Sequence, residues 1–448
     1  MTIDLLIILY MIIAAILGSV IYIVIGIIPG TDETSVLAPI LLVLLKINLH
    51  PLVVLSFFIA AVVSLNTTDS IPTALTSIPG GVMSTPLVDA SKELKEQGLT
   101  TQSLRKMTMG SLIGTITAFI FSLLFYLLFS IFAKNIDLNA FVKQYSSLIF
   151  FVGAILLSLL TKGRKNKIIS LLAIVPFGII TGILSTNKVY NFNISIISFF
   201  LAITIGPLIY NLFTLLIPKN YQQSVVYGNM DLEIILDHNI KGRNLNILTK
   251  QEVNTTIISS LLASSTFFLS PVGMTLLIGD LTTNQIKDKT KQAFTKVTVM
   301  NGIANASYLA GIMISLLVFK FEISPAAFGP GKPLFDQTIG ILNQATNFQF
   351  IIAITIGIIV ALLIVIPLTL KYAEKMTFIV FKYISHEAVL ALLFSLVFLL
   401  VFLDSNIVGV LLILIVSLIS GLLHKNGVSY GVLFMALYAS SFILGWFI

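Results

Sequence analysis

Long, almost wholly apolar stretches constrain this chain more than anything else in it. Met107–Ala133 and Asn193–Ile217 are two of several that run past the roughly 18 residues a helix needs to cross a hydrocarbon layer about 30 Å thick. Composition agrees. Charged residues make up 10% of the 448, against about 25% in soluble domains, and the mean hydropathy is +1.04. The expected fold is an all-α polytopic membrane protein. A soluble enzyme, a nucleic-acid-binding domain and a disordered chain are excluded.

Apolar runs between polar or Pro/Gly punctuation divide the chain into about 11 ± 2 membrane segments. They are Asp4–Ile28, Leu52–Leu65, Met107–Ala133, Leu148–Leu160, Ile168–Leu184, Asn193–Ile217, Ile257–Ile278, Val297–Phe319, Phe350–Leu370, Phe378–Leu403, Ile407–Leu423 and Val428–Ile448. Several are shorter than a full crossing, so broken or re-entrant helices are expected among them. The polar stretch Pro218–Asn254 lies near the middle and contains Met230–Ile240, whose Leu232, Ile235, Leu236 and Ile240 recur at helical spacing. That spacing fits an interfacial helix. The domain reading is an N-terminal membrane half (1–217), a central loop (218–256) and a C-terminal membrane half (257–448), two related halves of the kind found in repeat-built transporters.

Lys and Arg set the orientation. Lys92, Lys95, Arg105 and Lys106, then Lys162, Arg164, Lys165 and Lys167, then Lys219, Lys241, Arg243 and Lys250 fall on one side, against Lys134, Lys143 and Lys188 on the other, 12 to 3. The richer side is read as cytoplasmic, and the net charge of +7 as this orienting excess. Zero cysteines exclude disulfides, thiolate metal sites and a cysteine nucleophile. The first segment has Asp4 before it, no Lys or Arg, and is too long for a signal h-region.

The informative residues interrupt the apolar pattern. Pro29-Gly30 stops one run, and Thr31, Asp32, Glu33, Thr34 and Ser35 supply cap chemistry for a new half-helix, Val36–Leu45. The positive end of such a half-helix suits an anion; a short surface loop with Asp32 and Glu33 solvated is the alternative. Asn66-Thr67-Thr68-Asp69-Ser70 forms a second break, and Ser77-Ile78-Pro79-Gly80-Gly81 a third. A carboxylate at membrane depth is costly unless paired, hydrated or bound to a cation, so Asp69 is a functional candidate. Oxygens of Asn66, Thr67, Thr68 and Asp69 suit a hard cation such as Na⁺, while a simple helix cap is the plainer reading.

The second half echoes the first. Ser270-Pro271-Val272-Gly273 breaks a run, Gly279-Asp280 closes the next piece, and Met300–Ser307 places Asn301 and Asn305 among small residues. Pro29 to Asn66 is 37 positions, and Pro271 to Asn305 is 34.

Enzymatic readings find little support. Gly279-Asp280 lacks the glycine that intramembrane aspartyl proteases carry at the position of Leu277. His50, His238, His386 and His424 are scattered, and His386-Glu387 is followed by Leu390 where a zinc motif needs histidine. No phosphate-binding glycine loop with its lysine is present.

The ordered breaks resemble the large permease subunit of tripartite tricarboxylate transporters, the TctA-like family, and its stand-alone prokaryotic members in particular. Gly26–Ser35 is similar to the family's Gly-x-x-Pro-Gly turn, and Asp69–Thr73 to its Asp-x-Ile-Pro-Ser/Thr step. Ser77–Asp89 with Gly98, Gly110 and Gly114 follows in the place of a small-residue helix, then Asn301–Tyr308 and Gly427–Ser440. At Thr34 the family often has asparagine, and Asp32 and Glu33 add negative charge here.

The resemblance implies a secondary transporter, not an enzyme, that moves small organic anions, carboxylates by the family's name, coupled to Na⁺ or H⁺. It implies a cytoplasmic (plasma) membrane of prokaryotic type, no cofactor beyond a coupling Na⁺, and two partners in full systems: a small membrane subunit and an extracytoplasmic binding protein. Broken helices near Pro29, Asn66–Pro79, Pro271 and Asn301–Asn305 are expected to form the site at the bilayer midplane. Gly30, Thr31, Thr34, Ser35, Gly80, Gly81, Asn301 and Asn305 are the expected substrate contacts. Asn66, Thr68, Asp69, Asp32 and Asp280 are the expected coupling residues, with Asp69 holding the cation or carrying the proton. A lipid-carrier flippase, which needs a basic headgroup pocket, and a non-transporting scaffold subunit are the alternatives.

Overall fold

The computed structural model describes residues 4–28, 33–76, 80–81, 83–132, 138–161, 163–186, isolated positions between 199 and 214, 247–269, 271–328, 330–335, 340–342, 344–383 and 386–446. Every element among them is helical. Among the described residues, seven helices are long and apolar enough to cross a membrane, and Val36–Lys46 and Ser147–Leu159 are shorter apolar helices. The amphipathic Met230–Ile240, most of Asn193–Ile217, Pro29–Asp32 and Ser77–Pro79 lie outside the described residues.

The chain forms two units. The first comprises Met1–Asp137 and Ile234–Val389, the second Leu138–Glu233 and Leu390–Ile448, so each draws on both halves of the chain. The second unit holds α7 (Leu138–Leu160), α8 (Arg164–Thr186), most of α14 (His386–Lys425), α15 (Tyr430–Tyr438) and α16 (Ser440–Leu444). There α7 packs on α15 through Phe150 and Tyr438, whose ring centroids are 5.3 Å apart. Asn406 leaves the helical conformation (φ 55°, ψ −168°) and divides α14 into two helices, at the boundary the sequence places between Phe378–Leu403 and Ile407–Leu423. The start of the first of those runs, to Tyr383, belongs to the preceding helix, Asn347–Tyr383.

The first unit is built from a motif used twice. It begins with α1 (Leu5–Gly26), α2 (Glu33–Lys46) and α3 (Pro51–Thr68). Ser56 donates to the Met11 carbonyl (3.0 Å) and Thr68 to that of Tyr22 (3.4 Å), so α1 and α3 run parallel. Tyr22 also donates to the Val36 carbonyl (2.8 Å), which holds α2 against α1. After α3 come α4 (Ser70–Thr76), a 3₁₀ turn at Thr85–Leu87, α5 (Val88–Glu96) and the long α6 (Thr100–Phe132).

The second copy has α9 (Lys250–Ser265), α10 (Pro271–Thr283) and α11 (Lys289–Ile314). Thr256 meets α11 at Gly302, and the Phe267 ring lies 6.2 Å from that of Phe319, so α9 and α11 are also parallel. A π-helical segment, Ser315–Phe319, ends α11. Then follow α12 (Pro325–Phe328), a 3₁₀ turn at Lys332–Phe335 and α13 (Asn347–Tyr383). The two 3₁₀ turns share the pattern Pro-Leu-x-Asp: Pro86-Leu87-Val88-Asp89 in one copy, Pro333-Leu334-Phe335-Asp336 in the other.

The copies exchange partners. α6 packs on α11 and α9 of the other copy, as α13 packs on α3 and α1. The turn Lys332–Phe335 touches α2, and Thr85–Leu87 touches α10. Between the equivalent helices, Ser70 pairs with Asn301 and Thr67 with Asn305 (both 3.4 Å), so residue numbers rise on α3 as they fall on α11. The repeats are inverted. α3 and α11 are the innermost spans, 89% and 94% buried, against 22–39% for the other five, whose apolar faces are left for lipid.

The α6–α11 seam explains two glycines. Gly110 and Gly114 are one turn apart, and a Cβ on either would collide with the carbonyl of Thr298 or Gly302. Backbones approach this closely in lipid only where small residues sit four apart. Gly114→Ala is therefore expected to cost about 1–3 kcal/mol by overpacking, read as a lowered melting temperature in detergent. An unchanged melt would show that the seam can open without penalty.

The outer end of the α11 segment is closed by Lys320, in the left-handed region at φ 53°. Its ammonium donates to Asn347 Oδ1 and lies 4.9 Å from the Phe350 ring centroid, while Asn347 donates to Tyr126 (3.2 Å) and to the Leu317 carbonyl (3.1 Å). Burial lowers the Lys320 pKa from the usual 10.5 to about 8. Between those values the unfolded chain binds more protons than the folded one, so stability should rise with pH across that window. Melting curves from pH 7.5 to 10 should show the rise, and Lys320→Gln should flatten it.

Candidate functional site

α3 ends where proline chemistry requires it. The ring of Pro72 excludes the carbonyl of Thr68, four residues earlier, so the hydrogen-bond ladder slips at Asp69, whose backbone stays helical (φ −64°, ψ −20°), and α4 carries the same span on from Ser70. The interruption is one residue wide. It leaves Asn66, Thr67, Thr68, Asp69 and Ser70 inside the first unit, each no more than 2% exposed.

Helical spacing sends these side chains in different directions. Thr67 faces α6 and α11: its hydroxyl is 2.6 Å from that of Ser111 and accepts from Asn305. Asn305 also donates to Ser111. One turn away, Asn301 donates to the Met107 carbonyl (2.9 Å) and to Ser70 (3.4 Å). Thr68 faces α1 instead: it donates to its own helix at Ser64 (2.9 Å) and packs against Gly26. Asn66 and Asp69, three apart, share a third face.

Several polar atoms in this cluster have no protein partner among the described residues. Both amide atoms of Asn66 are buried without one, as are the Asn301 and Asn305 side-chain oxygens and the hydroxyls of Ser64 and Ser307. Burying an unbonded amide is costly, and Asn66 is 0% exposed.

The structure thus gathers Asn301 and Asn305 with Thr67, Ser70 and Ser111, and sets Asn66 and Asp69 beside them in sequence on a different face of α3. Other expected residues are placed differently. α11 runs unbroken through Asn301 and Asn305, because their amides bond sideways and leave the helical ladder intact; the expected break there is not found. No helix begins at Gly80: the next is α5 at Val88. Gly80 is instead pressed onto the break, where a Cβ would strike the Asp69 carbonyl, and its N–H donates to Thr73 (3.2 Å). The N–H of Gly81 is taken by Ser84 (2.9 Å). Thr68, spent on α1, is turned away from Thr67 and its partners. Asp280 forms a partly exposed ion pair with Lys296 (2.6 Å). α2 starts at Glu33, which is buried, with Thr34 and Ser35 in its first turn. Gly30, Thr31 and Asp32 fall outside the described residues.

Ser111 and the Met107 carbonyl were not singled out from sequence. The available signal was the spacing of Gly110 and Gly114, which marks the face of α6 that meets another helix.

Comparison with known proteins gives one match. A family model described as the tripartite tricarboxylate transporter TctA family covers residues 12–434. No curated protein and no solved structure matches the chain.

Asn305 and Asn66 should respond differently to loss of their amides. Asn305→Leu removes bonds to Thr67 and Ser111 and is expected to cost about 0.6–1.7 kcal/mol. Asn66→Leu removes an unbonded buried amide and is expected to leave the melting temperature equal or higher. Equal destabilisation by both would show that Asn66 is bonded within the fold.

Proposed function

The chain belongs to the tripartite tricarboxylate transporter TctA family, and from that premise we propose that it is a secondary permease carrying small carboxylate anions together with Na⁺ or H⁺. The observation that supports this reading most is the buried break at Asp69. A carboxylate and an unbonded amide on one face of α3 lie within a turn of Thr67 and Ser70, whose hydroxyls bond the two asparagines of the inverted copy, and repeat-built transporters bind substrate and coupling ion at such contacts.

The residues divide the work by chemistry. Asp69 and Asn66, on a common face of α3, supply a carboxylate and an amide oxygen to a hard cation, or Asp69 alone takes up a proton. Asn301 and Asn305 keep side-chain oxygens beside the hydroxyls of Thr67, Ser70 and Ser111. The start of α2, after Pro29-Gly30, offers N–H groups to an anion. Inversion makes the two copies interchangeable in role, so exposing the site first to one side and then to the other amounts to exchanging their conformations. The permease acts in the cytoplasmic membrane of a prokaryotic-type cell, with a small membrane subunit and an extracytoplasmic binding protein as its partners.

The test is counterflow uptake into proteoliposomes. Asp69→Asn is expected to abolish ion-coupled carboxylate uptake while the variant keeps its elution profile and melting temperature. Wild-type uptake by that variant would remove Asp69 from the mechanism.

A further inference from the structure

Three ion pairs join the described residues of the first unit, and Lys106–Glu252 is the most buried, with side chains 5% and 6% exposed. The other two are Lys296–Asp280, at 24% and 31%, and Lys332–Glu322, at 17% and 10%. Lys106 lies six residues into the span that begins at Thr100, roughly 9 Å along the helix. Its ammonium is 2.6 Å from both oxygens of Glu252 on α9. A pair this dry gains little stability over apolar packing, so its presence calls for another reason.

Its position supplies one. Lys106 precedes Met107, whose carbonyl receives the Asn301 amide at 2.9 Å. Its ammonium lies 5.0 Å from the centre of the Phe294 ring, and Phe294, Asn301 and Asn305 follow one another at helical spacing along one face of α11. The lysine therefore stands at the end of the row of groups that the site uses, about two turns from Asn301.

Glu252 is equipped to release it. Glu252 closes a capping box with Thr249: one carboxylate oxygen accepts the Thr249 N–H (2.8 Å) and hydroxyl (3.0 Å). If Lys106 turned to another carboxylate, Glu252 would keep two donors and the helix its cap.

Building on the carboxylate reading above, we propose that Lys106 binds a carboxylate of the transported anion and that Glu252 is its resident counter-ion when the permease is empty. Exchange of one carboxylate for another never leaves a bare ammonium in the dry interior. The empty carrier can thus change conformation with its buried charge balanced.

The experiment uses the purified full-length protein, with citrate as the tricarboxylate probe and succinate as the dicarboxylate probe, followed by calorimetric titration and melting. Lys106→Gln is expected to weaken citrate binding by about tenfold or more, the weight of one charge-assisted contact. Glu252→Gln, which removes the competitor, is expected to tighten it. The charge-swapped K106E/E252K restores the ion pair but not the α9 cap that Glu252 supplies, so its melting temperature should recover in part over that of Lys106→Gln while citrate binding does not return, whereas a merely structural pair would regain binding along with stability. Should Lys106→Gln not fold, the swap and Glu252→Gln decide. Wild-type citrate affinity in the swap, or unchanged or weaker binding in Glu252→Gln, overturns the assignment of Lys106 and leaves the carboxylate reading standing. No binding of either probe by the wild type overturns both.

Discussion

Backbone contact between α6 and α11 determines which polar groups of this protein meet. Gly110 and Gly114 bring the two helices close enough for Asn301 to reach the Met107 carbonyl and for Asn305 to reach Ser111. In lipid there is no hydrophobic force between helices, so close packing and side-chain hydrogen bonds must hold them together. The same closeness makes the region dry, and dryness gives the Asn66 amide and the Asp69 carboxylate their energetic significance. In water these residues would be ordinary caps.

The inverted repeat is architectural, and the chemistry laid over it is not symmetric. The first copy interrupts its central helix at Asp69, under the control of Pro72. The second carries its central helix past Asn301 and Asn305 and ends it in a π-helical turn at Ser315–Phe319. The acidic residue and the asparagine pair thus come from opposite copies, and the antiparallel run of α3 and α11 sets the asparagines against Thr67 and Ser70, the neighbours of Asp69. Neither half of the chain contains the whole cluster.

Much of this was legible in the sequence because membranes leave few choices. Apolar length located α1, α6 and α13, and polar residues within apolar runs drew attention to Asn66–Asp69 and to Asn301–Asn305, although the helix carrying the two asparagines proves continuous. The misread features share a cause: they depend on which neighbour a residue faces. Thr67 and Thr68 are adjacent and chemically identical, yet one helical step turns the first to Ser111 and the second to α1. Gly80 read as a substrate contact at a Pro-Gly break, whereas in the structure it lets a loop touch the Asp69 carbonyl. Lys106 counted among surface charges because it sits near the end of an apolar run. Its partner lies 146 positions away, a distance that spacing arguments do not reach.

Inversion also bears on how such a chain enters the bilayer. Matching loops of the two copies must end on opposite sides, and their lysines are distributed accordingly. The connection between α3 and α6 carries Lys92 and Lys95, and Arg105 follows in the first turns of α6, whereas its counterpart after α11 has only Lys320 and Lys332, both engaged inside the fold. Between α2 and α3 the chain has Lys46 alone; between α10 and the first turns of α11 it has Lys287, Lys289, Lys291 and Lys296. One fold is thereby addressed to the insertion machinery with two opposite labels. The labels lie in the connections, leaving the helices free to keep the same packing in either direction.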